Sequence, residues 1–406
     1  METETSSYGS KLNGLVLESL TSEHKFSKIQ RKIKHLNRHV MISIKSEDGD
    51  IIDCIDIRKQ PAFDHPSLKN LTIQMTPSYD TTPQGASSTK MGKDYDSDVT
   101  ITTQLWQKSG SCPKGAIPVR GVPTKYLVSR SYGRKGPAFS HRVTHSDDAG
   151  SSNLKQPNHS LAILLTAGYT YLGGKADIKV WNPRVESDDE YSTSRVTLKS
   201  GPYFHLESIE SGWTVNPSVY GDRQTRFYEY WTADSSNKTG CFKLTCPGFV
   251  QTSNEIALGV AIYPISTFHG LPYQITVYIV KDLSTNNWWV QYGEKINIGY
   301  WPAELFRSVS HHAEGVDWGG EVYSSRVGTT PHTKTAMGSG NFPDPFGYSG
   351  SMIRMRIRDN SLFLKFPEWV STFADEYRCF DVAYHGDYVV DPEFYFGGPG
   401  RNPICP

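Results

Sequence analysis

Residues 161–181, LAILLTAGYTYLGGKADIKVW, read as strand and not as helix. Leu161–Tyr171 and Lys175–Trp181 are two candidate strands, and the same texture runs on from there. Further candidates are Ser194–Leu198, Tyr203–Glu210, Thr225–Thr232, Gly248–Gln251, Ile256–Tyr263, Tyr273–Val280, Trp288–Gly293, Ile296–Tyr300 and Trp318–Ser324. Turn residues recur at close spacing between them, which favours a sandwich or barrel over alternating β-α units. Composition agrees: aromatics make up 12% of the 406 residues, with 35 Gly and 24 Pro, so pleated surfaces and punctuated turns are both well supplied. Two short helices are expected, one opened by Pro302 and closed by Gly315, the other over Glu368–Phe373.

Upstream the character changes twice. Phe26, Ile29, Ile33, Leu36 and Val40 fall at helical spacing among Lys and Arg residues, which predicts an amphipathic helix with a solvated basic face. Met41–Ile44 and Ile51–Ile57 flank Glu47-Asp48-Gly49-Asp50, a hairpin pattern. Residues 60–158 are rich in Pro, Ser, Thr, Gly and Lys and read as exposed or loosely ordered chain, with brief order near Thr103–Trp106 and Tyr126–Val128.

Charge balances at 42 basic against 42 acidic residues, so no electrostatic footprint for nucleic acid is present. No stretch approaches the roughly 20 apolar residues that span a bilayer. The first residues lack signal-peptide character, which alone points to the cytosol. Six Cys and three N-x-S/T sequons, at Asn70, Asn158 and Asn237, point the other way.

Several hydrolase signatures are missing from the sequence: H-E-x-x-H, G-x-S-x-G, and Asp-Thr-Gly or Asp-Ser-Gly. His311, His312 and Glu314 crowd together, but adjacent histidines on a helix point apart, and no metal site or cofactor is expected. The carboxylates are more informative. Strand alternation puts Phe204, Leu206, Ser208 and Glu210 on one face, so Glu210 lies on the side that apolar residues would bury. A buried carboxyl there is either paired or neutralised. Glu321 follows Gly319-Gly320, glycines that permit close backbone approach or a bulge beside a site. A structural Glu bonded across the sheet and a solvent-facing strand Glu fit these same patterns. Glu229, Glu255 and Glu294 also occupy strands, so spacing alone selects no pair.

At these residues the sequence resembles the neprosin family of plant glutamic peptidases. The N-terminal half carries Asp48–Ile57 and Gln60-Pro61-Ala62-Phe63-Asp64-His65-Pro66, similar to the family's activation-peptide signatures. The C-terminal half carries Val180-Trp181-Asn182-Pro183, Ile209-Glu210-Ser211-Gly212-Trp213, Tyr230-Trp231-Thr232, Gly299-Tyr300-Trp301-Pro302, Gly319-Gly320-Glu321 and Met337-Gly338-Ser339-Gly340. The resemblance implies an all-β catalytic domain, a jelly-roll-like sandwich of two large antiparallel sheets with a concave cleft, behind a small α+β propeptide domain. It implies an unstructured 1–24, a propeptide over 25–125, an exposed linker with a processing site over 126–158, and a catalytic domain over 159–406. It also implies a monomeric zymogen that hydrolyses proline-containing peptides at acid pH, after proline, with Glu210 and Glu321 as the catalytic pair. Two carboxyls sharing one water would titrate together, one as base and one as acid. Trp213, Tyr230 and Gln251 are the expected cleft-lining groups. The family pattern favours the bridges Cys54–Cys112, Cys241–Cys246 and Cys379–Cys405, in a secreted, extracellular or vacuolar protein. Family precursors begin with a secretion signal, so the start is expected to be incomplete or alternative. The competing readings are an inactive sandwich that holds wall polysaccharide or proline-rich protein, and a glycoside hydrolase, which would also use two carboxyls.

Overall fold

The computed structural model describes residues 39–79, 100–101, 103–121, 158–202, 205–237, 239–240, 247–344, 346–386 and 391–406. Of the amphipathic helix expected over 26–40, all but the last two positions lie outside these residues, and Val40 opens a strand instead of closing a helix. The order expected near Tyr126–Val128 and most of the 126–158 linker also lie outside, as do Phe204, Cys241 and Cys246.

The N-terminal unit is a three-stranded antiparallel sheet. β1 (Val40–Lys45) and β2 (Ile51–Asp56) form the expected hairpin, turned at Gly49 with φ +89°. After β3 (Thr100–Ile101), which joins the main sheet, β4 (Ala116–Arg120) completes the small sheet on the other side of β2. Cys54 and Cys112 are bridged within this unit.

Among the described residues, the other strands form one curled 15-stranded sheet, almost wholly antiparallel. Its pivot is β5 (His159–Lys179), a single strand where two were expected. The pair Gly173-Gly174 carries the strand onward and does not break it. A Cβ at Gly173 would sit 2.9 Å from the Ile279 carbonyl, and one at Gly174 2.9 Å from Val316 Cγ1, so only glycine lets the layers close there. The first half of β5 belongs to one layer and the second half to the other, which is how the two sandwich layers remain parts of one sheet.

One layer runs through β6 (Tyr191–Ser200), β7 (Glu207–Val215), a one-turn helix α1 (Pro217–Tyr220) and β8 (Arg226–Thr232). The other has β9 (Val250–Gln251) at its edge, paired with the last of β10 (Tyr273–Lys281), β11 (Trp288–Tyr292) and β12 (Ile296–Trp301). β13 (Ala313–Tyr323) pairs β5 on one side and β6 on the other. The C-terminal strands are β14 (Gly350–Asp359), β15 (Leu364–Lys365), β16 (Val370–Ala374), β17 (Asp381–His385) and β18 (Glu393–Gly397).

Alternation along β6, β7 and β13 sends Val196, Leu198, Ile209, Trp213, Val316 and Trp318 inward against Ile275, Val277, Ile279, Trp288 and Val290 of the facing layer. Each such buried apolar side chain contributes about 1.5–3 kcal/mol relative to exposure. The N-terminal unit adds Ile55, Ile57, Leu68, Ile117 and Val119 to the same cluster. Its 61–79 segment covers the outer face of β11 and β12, with Ala62, Phe63 and Leu71 on Trp289 and Tyr300.

Further expectations differ. The described part of 60–158, read as exposed or loosely ordered, is packed instead: Ala62, Leu68, Trp106 and Ile117 are buried and Ala116–Arg120 is a strand. Glu368–Phe373 is not a helix: Val370–Ala374 is strand β16, paired with Ala162–Thr166 of β5. The helix after Pro302 is a single 3-10 turn, Ala303–Leu305. Ile256–Tyr263 forms only isolated bridges, because Gly259 takes φ +78° and the Ala257 backbone bonds the Gln104 side-chain amide in place of a strand.

Candidate active site

The second face of β6 carries Thr193, Arg195, Thr197 and Lys199, all buried. In register, Thr197 lies opposite Glu210 of β7, and Thr193 opposite Glu321 of β13. Arg195 lies between them, opposite Gly212 and Gly319. The two glutamates therefore flank one arginine diagonally on a single sheet face, as the period of two requires.

The geometry is tight. Arg195 Nε donates to Glu210 Oε2 at 2.8 Å, and Arg195 Nη2 lies 3.0 Å from Glu321 Oε2 as an ion pair, off the line of a hydrogen bond. Tyr228 donates to Glu210 Oε1 at 2.9 Å, and Thr197 to Oε2 at 3.3 Å. On the other carboxyl, Tyr191 donates to Oε1 at 2.8 Å and His159 Nδ1 lies 2.7 Å from the same atom. Glu210, Glu321 and Arg195 are all 0% exposed. Tyr191, Leu206, Tyr228, Tyr230 and Tyr323 form a separate cluster on this face, apart from the main core.

Burial pushes the Glu210 carboxyl up to about 8; Arg195 opposes the rise and Glu321 adds to it. Glu210 is thus a neutral acid through the acid and neutral range. Burial also works against the Arg195 charge, but Glu210 and Glu321 outweigh it and hold the guanidinium ionised. Tyr191 and Tyr228 are pushed well above the ordinary tyrosine value, first by burial, then by the neighbouring carboxyls, so both act as hydroxyl donors.

The glycines before Glu321 act by close approach and not by a bulge. A Cβ at Gly319, where φ is +146°, would sit 2.2 Å from the Ala162 carbonyl, and one at Gly320 would meet Met337 and Phe396 at 2.7–2.8 Å. The ladders on both sides of Glu321 stay in register.

The expected site residues separate. Glu210 and Glu321 come together, and Tyr230 lies directly opposite Glu210 on the same face. Trp213 does not join them: it is an odd step from Glu210, faces the main core, and donates from Nε1 to the Lys179 carbonyl at 3.0 Å. Gln251 stands in β9, its side chain bonded to the Ser253 and Ile256 carbonyls and its backbone held by Gln60. Arg195, Tyr191, Tyr228 and His159 were not singled out by sequence, although the alternation that grouped Leu206 with Glu210 also assigns Tyr228 and Tyr230 to one face of β8.

Among the described residues, the one grouping with metal-ligand spacing is His332, Cys379 and Cys405, and its two sulfurs form a disulfide. No described helix is long and apolar enough to cross a membrane.

Residues 188–399 match the Neprosin family model, and residues 43–164 match that of the Neprosin activation peptide. Among solved structures, the chain is distantly similar to Scytalido-glutamic peptidase with a peptide-based transition-state analogue. That match has 9% identity and a TM-score of 0.32, covering 59% of this chain and 98% of that one. SCP-B, a member of the Eqolisin family of peptidases in complex with the tripeptide Ala-Ile-His, is similar at 9% identity and a TM-score of 0.30, with the same coverage. The Neprosin model spans the face that holds Arg195, Glu210 and Glu321, the activation-peptide model spans nearly all of the small N-terminal sheet, and the chain belongs to the Neprosin family, with its activation peptide ahead of the Neprosin domain.

Proposed function

We propose that the protein is a glutamic endopeptidase made as a zymogen, which hydrolyses peptide bonds at acid pH, after proline, with a water activated between Glu210 and Glu321. The observation that carries this reading is the convergence of the two carboxyls on one buried sheet face, each with its own set of donors.

Each carboxyl has a tyrosine donor and faces the Arg195 guanidinium, so the donors alone do not divide the roles. Glu321 is assigned as the base. Glu210, pushed up by burial, is the acid. In the reaction Glu321 takes a proton from water, and the water oxygen bonds the scissile carbonyl carbon while protonated Glu210 polarises the carbonyl oxygen. On collapse the C–N bond breaks, the amine nitrogen takes the proton from Glu321, and Glu210 recovers its own. Acid-base help of this kind is worth about 10²–10⁴-fold. The flat rings of Tyr228 and Tyr230 beside Glu210 suit a proline ring.

Passage through an oxidising compartment fits the chain, since Cys54–Cys112 and Cys379–Cys405 are bridged and Asn70 and Asn237 of the sequons are exposed. We infer a secreted or vacuolar protein, acting as a monomer on protein substrates.

The test is to hold the full-length protein at acid pH with an unfolded proline-rich substrate and sequence the products by mass spectrometry. Cleavage after proline in the wild type, lost in both Glu210→Gln and Glu321→Gln, is the expected result. Unchanged cleavage in either variant would remove the pair. No product from the wild type would leave the binding-module reading.

A further inference from the structure

We propose that Arg195 is the positioning residue of the carboxyl pair: one buried guanidinium spans β7 and β13, holds both carboxyls in one geometry, and leaves the pair a single proton to share over the acid range. This rests on the peptidase reading of Glu210 and Glu321.

The register carries the geometry. Arg195 is on the strand between the two glutamates, and its neighbours across both ladders are glycines, Gly212 and Gly319. A Cβ at Gly212 would sit 2.0 Å from the Ser194 carbonyl and 2.8 Å from Arg195 Cα, so β7 closes fully on β6 at this point. From there the planar fork reaches Glu210 with Nε and Glu321 with Nη2, at 2.8 and 3.0 Å. A lysine ammonium is a single point charge and cannot address two carboxyls from two edges of one plane.

Charge balance carries the protonation. Two ionised carboxyls against one guanidinium would leave a buried, uncompensated negative charge, whereas one bound proton makes the trio neutral. Apart from His159, the groups facing the trio do not alter that count. Tyr191 of β6 and Tyr228 of β8 are neutral donors, and Lys199 of β6 neutralises Asp317 of β13 at 2.6 Å. His159 of β5 lies with Nδ1 2.7 Å from Oε1 of Glu321, and a His159→Gln background separates its contribution. Without the arginine, a lone carboxylate in this site would hold its proton to higher pH and the base would be lost where the enzyme works.

The experiment is the pH profile of kcat/KM for the full-length protein after acid incubation, for wild type, Arg195→Lys and Arg195→Gln, each repeated in a His159→Gln background. Arg195→Gln is expected to lose at least about 100-fold in rate, with its acid limb moved up by about one pH unit or more, in both backgrounds. Arg195→Lys, which keeps the charge without the fork, is expected to recover part of the rate and to keep the acid limb of the wild type. Should Arg195→Gln fail to fold, Arg195→Lys carries the test alone: reduced kcat at an unmoved acid limb supports the role, and wild-type kcat overturns it. An acid limb unmoved in a folded Arg195→Gln protein also overturns it, because a merely structural residue would lower the amount of active protein without moving the profile. Glu210→Gln and Glu321→Gln run alongside. If either keeps the wild-type rate, the peptidase reading fails; if both are inactive while the arginine variants match wild type, only the role of Arg195 falls.

Discussion

The side chain of Gln60 binds the backbone of Gln251 at both its polar groups: Oε1 accepts from the Gln251 N–H at 2.8 Å, and Nε2 donates to the Gln251 carbonyl at 3.0 Å. Gln251 is in β9, the edge strand next to β12, so one glutamine of the activation segment stands where a further strand would pair. This glutamine is 2% exposed and follows Ile57, whose carbonyl accepts a third bond from the same Nε2 at 2.9 Å.

Gln60→Ala would leave two backbone groups of Gln251 unpaired in a buried place, at about 1–3 kcal/mol each. The expected outcome is a lower melting temperature and faster hydrogen exchange at the Gln251 amide, with the small N-terminal sheet unaffected. Unchanged exchange at that amide would show that the clamp does not hold β9.

Asp50 latches the same unit by charge. It meets Arg120 of β4 at 2.8 Å and Arg226 of β8 at 2.7 Å, while Asp222 holds the other side of Arg226 at 2.6 Å. Burial alone would raise the Asp50 carboxyl, but the bonds and charges of Arg226 and Arg120 outweigh it and hold it below the usual value. A depressed folded value gives stability that is present above the unfolded value of about 3.9 and lost as pH falls through the folded one. Acid therefore loosens the contact between activation unit and catalytic layer. If the chain is first nicked between residues 122 and 157 with an added protease, the N-terminal piece should stay bound at neutral pH and separate on gel filtration only as pH is lowered below the ordinary carboxylate range. Asp50→Asn should separate at higher pH, because removal of one partner of a buried pair costs about 3–5 kcal/mol. Separation of wild type and variant at the same pH would assign the latch elsewhere.

How much of this was legible in the sequence depended on period. Glu210 and Leu206 are an even number of residues apart; Leu206 packs with Tyr228 and Tyr230, and Glu210 bonds the first and lies opposite the second. Trp213 is an odd step away and faces the other side, so alternation that located Glu210 also argued against Trp213 as its neighbour. Arg195 escaped for a physical reason. Thr193, Arg195, Thr197 and Lys199, alternating with Val196 and Leu198, have the pattern of a strand with one solvated face, yet that face is buried by tertiary structure. Gly173-Gly174 looked like a break because nothing local announces that Ile279 and Val316 approach there. Strands β14, β15, β17 and β18 carry mixed burial and short runs, which is why no apolar alternation marked them.

The C-terminal bridge, Cys379–Cys405, closes a loop with a sequence separation of 26 and ties the tail across β17 and β18. Peptide mapping without reduction is expected to recover it together with Cys54–Cys112, and to join Cys241 with Cys246. Cys405→Ser should cost about 3 kcal/mol, chiefly by freeing the unfolded chain. Free thiols in protein secreted from a eukaryotic host would contradict the pairing.

Glu229 gives a prediction of opposite sign to Asp50. It lies in β8 between Phe227 and Trp231, opposite Ser211, is 2% exposed, and its Oε2 has no hydrogen-bond partner. Burial raises this carboxyl well above its ordinary value, against a small opposing contribution from its own backbone. Glu210 is raised in the same direction, to about 8. For both, the folded state holds a proton that the unfolded chain has lost. Their contribution to stability is complete below about pH 4.3 and falls as pH rises toward the folded value, by about 1.4 kcal/mol per unit for each group. Glu229→Gln removes that liability at one position while keeping the shape of the side chain. The variant is expected to match wild type in melting temperature near pH 4 and to exceed it by a margin that widens as pH rises above that. A Glu210→Gln protein should show the same trend independently, since the two side chains occupy opposite faces of their strands. Melting curves of the three proteins at matched ionic strength decide the matter: a constant offset across the range, or an advantage that shrinks with rising pH, would mean that Glu229 is ionised in the folded protein.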